Sequence, residues 1–116
     1  MQSALKTLAM MEGGRKIAVL GDMLELGEHA VESHMELGRA VRDAGVDLLV
    51  VVGRLARLIS RSAIDSGMRV ENVSEFDDSY EAAREVPAKL RERDVVLVKG
   101  SRAMKMERVV EALLGS

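Results

Sequence analysis

Asp47-Leu48-Leu49-Val50-Val51-Val52-Gly53 is the stretch that decides the architecture. Its apolar residues run without a polar interruption, and three of them are β-branched Val. A strand with one wet face alternates apolar and polar residues, so this run predicts a strand over 47–52 that is covered on both faces. Its flanks agree. Upstream, Leu37, Ala40, Val41 and Ala44 recur at i, i+3, i+4 and i+7, which predicts a helix over 28–44 stopped at Gly45. Downstream, Leu55, Leu58, Ile59 and Ala63 predict a helix over 54–66 closed by Gly67.

Further out the pattern repeats. Residues 2–12 read as a helix with Leu5, Leu8 and Ala9 on one side, ended by Gly13-Gly14. Residues 16–20 form a short apolar strand, and 21–27 a loop. Residues 69–74 are more polar and predict a weaker strand nearer an edge. A helical stretch over 77–92 has Asp77 or Asp78 as its N-cap and Pro87 inside it, so it either kinks there or consists of two short helices. Residues 95–98 predict another buried strand. Residues 103–114 predict a last helix with Met106, Val109, Val110 and Leu113 on one face. Alternating strands and helices, with connections long enough for crossovers, predict an α/β fold: a Rossmann-like, mostly parallel sheet with helices on both faces. The 116 residues suit a single domain over 1–116.

Composition narrows the function. Hydrophobic residues at 47% permit a core, and charged residues at 31% keep the surface solvated. Seventeen basic residues against nineteen acidic ones leave a net charge of -2, which argues against a nucleic-acid partner. One Tyr, one Phe and no Trp leave almost nothing on which bases could stack. The lack of cysteine rules out disulfides and thiolate metal sites. No apolar run is long enough to span a bilayer, and the first residues lack the layout of a signal peptide. A cytoplasmic protein without membrane insertion is expected.

Ligands of open parallel sheets bind beyond the carboxyl ends of the strands. Three expected strands run into glycine there: Gly21, Gly53 and Gly100. Such glycines either make tight turns or let a ligand approach. The loop after the first strand, Gly21-Asp22-Met23-Leu24-Glu25-Leu26-Gly27-Glu28, holds two leucines and three carboxylates. The leucines could cap the sheet or face a partner. Asp22 and Glu25 could act as a pair, or be solvated acids at a helix start. The loop Lys99-Gly100-Ser101-Arg102 combines two cations, a hydroxyl and the start of the last helix, with Lys105 a turn further on. That set suits a carboxylate or phosphate; equally, Ser101 could cap the helix and the cations be solvated.

Other chemistries lack their residues. Neither G-x-G-x-x-G nor G-x-x-x-x-G-K-[ST] occurs, nor H-E-x-x-H, nor a G-x-S-x-G elbow. His29 and His34 are five apart, poor spacing for one helix face, and are expected to be exposed or capping. The eight methionines are read as gap-fillers.

Two motifs carry a family resemblance. Residues 17–28, I-A-V-L-G-D-M-L-E-L-G-E, and residues 95–108, V-V-L-V-K-G-S-R-A-M-K-M-E-R, resemble two signatures of the third domain of Mur ligases that add D-alanyl-D-alanine. The helix start with Glu28, His29, Glu32 and His34 is also similar, as are D-L-L-V-V-V-G and the closing V-V-E-A-L. The resemblance covers essentially the whole chain. It implies the carboxyl-terminal domain of an ATP-dependent, peptide-bond-forming ligase of peptidoglycan precursor synthesis. In such an enzyme a UDP-MurNAc-tripeptide is activated as an acyl phosphate and then attacked by the amine of D-alanyl-D-alanine.

The same resemblance assigns sites. Lys99, Gly100, Ser101 and Arg102 correspond to the family's loop that meets the incoming substrate. Asp22, Met23, Leu24, Glu25 and Leu26 correspond to a segment at the closing interface. Lys99 and Ser101 are expected to bind the dipeptide, and Asp22 and Glu25 to orient the loop or the amine. The family's sugar-binding domain, its phosphate loop and magnesium ligands, and its D-S-Y-N-A-N-P stretch are not in this sequence. The expectation is therefore a fragment that is inactive alone, holds no catalytic residue or metal ligand, and leaves ATP and magnesium to the other domains. A stand-alone binding or regulatory module is the alternative, meeting a partner at Leu24 and Leu26. An independent small α/β enzyme ranks last, for want of a catalytic constellation.

Overall fold

The computed structural model describes residues 2–115. Met1 and Ser116, the ends of the expected domain, lie outside them. Helix α1 (Gln2–Met10) leads into strand β1 (Lys16–Gly21), and α2 (Ala30–Asp43) into β2 (Leu48–Val52). Helix α3 (Arg57–Asp65) precedes β3 (Val73–Phe76), α4 (Ser79–Glu85) precedes β4 (Val95–Lys99), and α5 (Glu107–Gly115) follows. The four strands make one sheet in the order β3-β2-β1-β4, and all three pairings are parallel.

Two apolar layers sandwich this sheet. Ala18, Leu20, Leu49 and Val51 face Leu5 and Leu8 of α1, Leu37 and Val41 of α2, and Ile59 and Ala63 of α3. Ile17, Val19, Val50 and Val52 point the other way, with Phe76, toward Ala82, Val86, Met106 and Val109 on the α4 and α5 side. Alternate residues of one strand thus feed opposite cores, which is why the 48–52 run has no polar member. The expected helices on both faces are present.

Several boundaries differ from expectation, each for a local reason. Residues Leu24–His29 form a 3-10 turn, and α2 begins only at Ala30, because Gly27 leaves helical geometry at φ 58. The weak strand expected at 69–74 sits at the sheet edge as anticipated but runs 73–76, since Val70–Asn72 make a 3-10 turn. Its register is set by Leu49 opposite Val73 through Val52 opposite Phe76. Asp78 is the N-cap of α4, accepting a hydrogen bond from the Glu81 N–H at 2.9 Å. At Pro87 two short helices abut, α4 giving way to a 3-10 turn over Val86–Lys89.

The last helix also starts late. Arg102–Met104 form a 3-10 turn, Lys105 adopts the left-handed conformation at φ 51, and α5 begins at Glu107. Residues 95–98, expected to be fully buried, are half-buried, because β4 has a neighbour only in β1. Val110, expected on the inner face of α5, is instead exposed.

Candidate functional site

The chain reverses direction across the sheet once. Strands β1, β2 and β3 step outward one by one, and α4 then returns the chain to place β4 on the far side of β1. The carboxyl ends of β1 and β4 therefore flank the point where strand order reverses, the usual ligand crevice of open α/β sheets. The two loops singled out in the sequence leave from these two ends.

They are joined through Ser101. Its hydroxyl donates to the Glu25 carboxylate and accepts from the Leu24 N–H at 2.6 Å, while its own N–H donates to the Asp22 carbonyl at 2.9 Å. Ser101 is buried. The hydroxyl, together with Glu25's own N–H, holds the Glu25 carboxyl below the usual carboxylate range. Glu25 itself is exposed, so an ionised carboxylate is presented at the surface in a fixed place.

Asp22 and Glu25 do not form a carboxylate pair. The Asp22 side chain is buried and turns toward the start of α3, where Oδ1 accepts from the Ala56 N–H at 2.6 Å. An anion there satisfies an N–H that the start of α3 leaves without an intrahelical partner, and it suits the positive end of that helix. Gly53 makes room for it. A β-carbon there would stand 2.5 Å from Asp22 Oδ1, and its φ of +110 also disfavours a side chain. At Gly21 and Gly100 the missing side chains make room for Met106. A β-carbon would stand 2.9 Å from its Sδ at Gly21 and 2.8 Å from its Cγ at Gly100. These glycines admit the protein's own atoms.

The cations lie at the rim. Lys99, Arg102 and Lys105 are exposed, and none has an acidic partner among the described residues. The late start of α5 corrects one expectation: the free N–H groups of that helix lie beyond the 99–102 loop, and Ser101 makes no side-chain cap bond. Charge there comes from side chains alone. In the other loop, Leu24 is 48% exposed and Met23 half-buried. Leu26 lines a shallow groove of about 360 Å³ with Met23, Gln2, Ser33 and Leu37.

Two residues at this end were missed by sequence reasoning. Arg54, exposed just beyond β2, is a further cation without an acidic partner among the described residues; its place after a glycine-ended strand was the available signal. His34, expected to be exposed or capping, is fully buried. The signal was its position three and seven residues before Leu37 and Val41, on the same buried stripe of α2. His29 is exposed, as read.

The sequence and fold have known relatives. The family described as "Mur ligase, glutamate ligase domain" matches residues 1–102. The chain belongs to the Mur ligase family. Among curated Mur ligase relatives, the UDP-N-acetylmuramoyl-tripeptide–D-alanyl-D-alanine ligase of Bacillus subtilis is 34% identical over 100% of this chain and 25% of its own length. The enzyme of that name from Escherichia coli is 36% identical over 97% of this chain and 24% of its own. Among solved Mur ligases, a MurF structure from Acinetobacter baumannii superposes with a TM-score of 0.81 at 27% identity, covering 99% of this chain and 25% of that one. MurF from Thermotoga maritima, in complex with ADP, gives 0.74 at 30% identity over 97% of this chain and 24% of that one. The chain thus spans about a quarter of the length of the Mur ligases it matches.

Proposed function

We propose that this chain supplies the substrate-facing loops of an ATP-dependent ligase that joins D-alanyl-D-alanine to a UDP-MurNAc-tripeptide. The observation that carries the reading is the junction at the reversal point of the sheet. There Ser101 locks the 22–25 and 99–102 segments together beside cations that no acidic group of the described residues occupies. Family membership and the names of the relatives supply the reaction.

Each residue then has a chemical task. Lys99 and Arg102 suit the terminal carboxylate of the incoming dipeptide, since both reach solvent at the mouth of the crevice. Ser101, expected to bind the dipeptide, is buried with its hydroxyl committed to Leu24 and Glu25, so with Gly100 it sets the path of that loop instead. Glu25, held ionised, suits the dipeptide's ammonium or a hydrogen bond that orients its amine. Asp22 and Met23 anchor the other loop, and Leu24 and Leu26 offer apolar surface to a neighbouring domain when it closes over the site. The resemblance to the family assigns magnesium and the nucleotide phosphates to other domains in this reading. The chemistry ATP supplies, activation of the tripeptide carboxyl, proceeds there; this chain presents the nucleophile. Alone it binds dipeptide weakly and does not turn over.

Lys99→Ala tests the assignment. In the ligase carrying this domain, losing one exposed charge-assisted contact should raise the dipeptide KM, or lower kcat/KM, by on the order of tenfold. Wild-type kinetics in that variant would sink the role given to Lys99.

A further inference from the structure

Three consecutive backbone N–H groups of the first loop are each held by a different element. The Asp22 N–H donates to the Val52 carbonyl at the end of β2, 3.2 Å away. The Leu24 N–H donates to the Ser101 hydroxyl after β4. Between them, the Met23 N–H donates to Nε2 of His34, at 3.0 Å. The first acceptor ends β2 and the second lies in the loop that follows β4. The third is an imidazole on α2, the helix that also flanks the loop at Ser33 and Leu37.

His34 is well suited to this work. It is fully buried, so water does not compete for the Met23 N–H. Its other nitrogen, Nδ1, lies 2.5 Å from the Ala30 carbonyl one turn back on α2. A carbonyl only accepts, so Nδ1 carries the proton; an N–H only donates, so Nε2 carries the lone pair. The two partners therefore specify one uncharged tautomer and fix the ring in plane. A packing role for this position would be served by Leu, as at Leu37 on the same stripe. An acceptor aimed at a loop amide points to something more.

We infer that His34 is a positioning residue, which uses its Nδ1–H tautomer to hold the Met23–Glu25 backbone so that Glu25 and Leu24 meet Ser101 in register. The inference rests on the proposed function for its purpose, since the segment it holds is the one assigned to the amine and the closing interface. It gives α2 a directed polar link to the loop beside its apolar contacts there.

The test uses the chain itself. In the unaltered protein, long-range 1H–15N correlations of the His34 ring should show Nδ1 protonated and Nε2 bare; the opposite tautomer overturns the inference without any substitution. His34→Gln and His34→Asn then separate the two bonds. A glutamine oxygen reaches the place of Nε2 and can still accept from Met23, whereas asparagine reaches only the place of Nδ1 and keeps only the bond to Ala30. Amide hydrogen exchange should quicken at least tenfold at Met23 and Leu24 in the Asn variant, stay slow in the Gln variant, and be unchanged at Val50 and Ile59 in both. Equal exchange at Met23 in the two variants, or a uniform rise throughout the core, overturns it. Neither measurement depends on Lys99, so the kinetics of Lys99→Ala can fail while this result stands, and the reverse.

Discussion

Ser101 closes the junction with one oxygen that both donates and accepts, so its removal has two separable consequences. In Ser101→Ala the Leu24 N–H loses its acceptor and the Glu25 carboxylate loses its largest stabilising partner. The Glu25 carboxyl should then titrate at higher pH, moving back toward the ordinary glutamate value of about 4.3. A carboxyl-carbon NMR titration of Glu25 in both proteins reads this directly. An unchanged midpoint would mean that the bond to Ser101 does not persist in solution. The same logic separates Asp22 from Glu25: one carboxylate is spent on the Ala56 N–H inside the fold, the other is displayed at its surface.

Helices α2 and α3 make the most intimate contact between elements, and a glycine sets their distance. A β-carbon on Gly38 would lie 2.5 Å from the Ile59 carbonyl oxygen and from Ser62 Cβ, and 2.8 Å from the Ala63 nitrogen. The Ser62 hydroxyl bridges the same gap, donating to the Met35 carbonyl at 2.5 Å. Gly38→Ala therefore sets two effects against each other. Alanine favours a helix interior by about 1 kcal/mol, but the atoms it meets are mainly backbone, which yields only if the helices part. Overpacking of this kind costs about 1–3 kcal/mol, so the variant should be destabilised, with a lower Tm and an unchanged far-ultraviolet helix signal. A gain in Tm would show that the helices move apart freely. Because α2 also carries His34, such a shift should reach the Met23 amide as well.

The two ends of the sheet are built differently. At the carboxyl ends of the strands lie the loops and the uncommitted cations. At the opposite end, Arg15 just before β1 grips Asp94 just before β4, with Nη2 to Oδ2 at 2.8 Å and Nε to Oδ1 at 3.1 Å. The Arg91 N–H adds a bond to Oδ2 at 2.8 Å. The bond to the Arg15 guanidinium, more than any other influence, holds the Asp94 carboxyl below the usual aspartate range. The unfolded chain then binds this proton more tightly than the folded one. Stability from the pair is fully present above the unfolded value of about 3.9 and is lost as pH falls below it. Glu25 contributes in the same direction. Urea midpoints should thus fall as pH drops below about 4, where the unfolded carboxyls take up protons that the folded pair resists. Asp94→Asn should lower stability at neutral pH by about 1–3 kcal/mol and flatten the acid limb. An acid limb as steep in the variant as in the parent would place the titration elsewhere.

Hydrophobic periodicity is local, and what depends on it was legible in the sequence. It announced the order of strands and helices, the doubly covered 48–52 strand, and the inner faces marked by Leu37, Val41, Ile59 and Val109. Helix and strand ends were less legible, because Gly27 and Lys105 take up positive φ only in the folded context. That β4 lies at an edge was not legible at all, since strand order is a property of the sheet and not of any strand. The working details of the candidate site belong to the same class. Ser101 meets Glu25 across 76 positions of sequence, Asp22 meets Ala56 across 34, and His34 finds the Met23 amide eleven positions back. Nothing near any of these residues names its partner. Each polar group takes the one available donor or acceptor that packing brings within reach once water is excluded, and only the tertiary structure decides which that is.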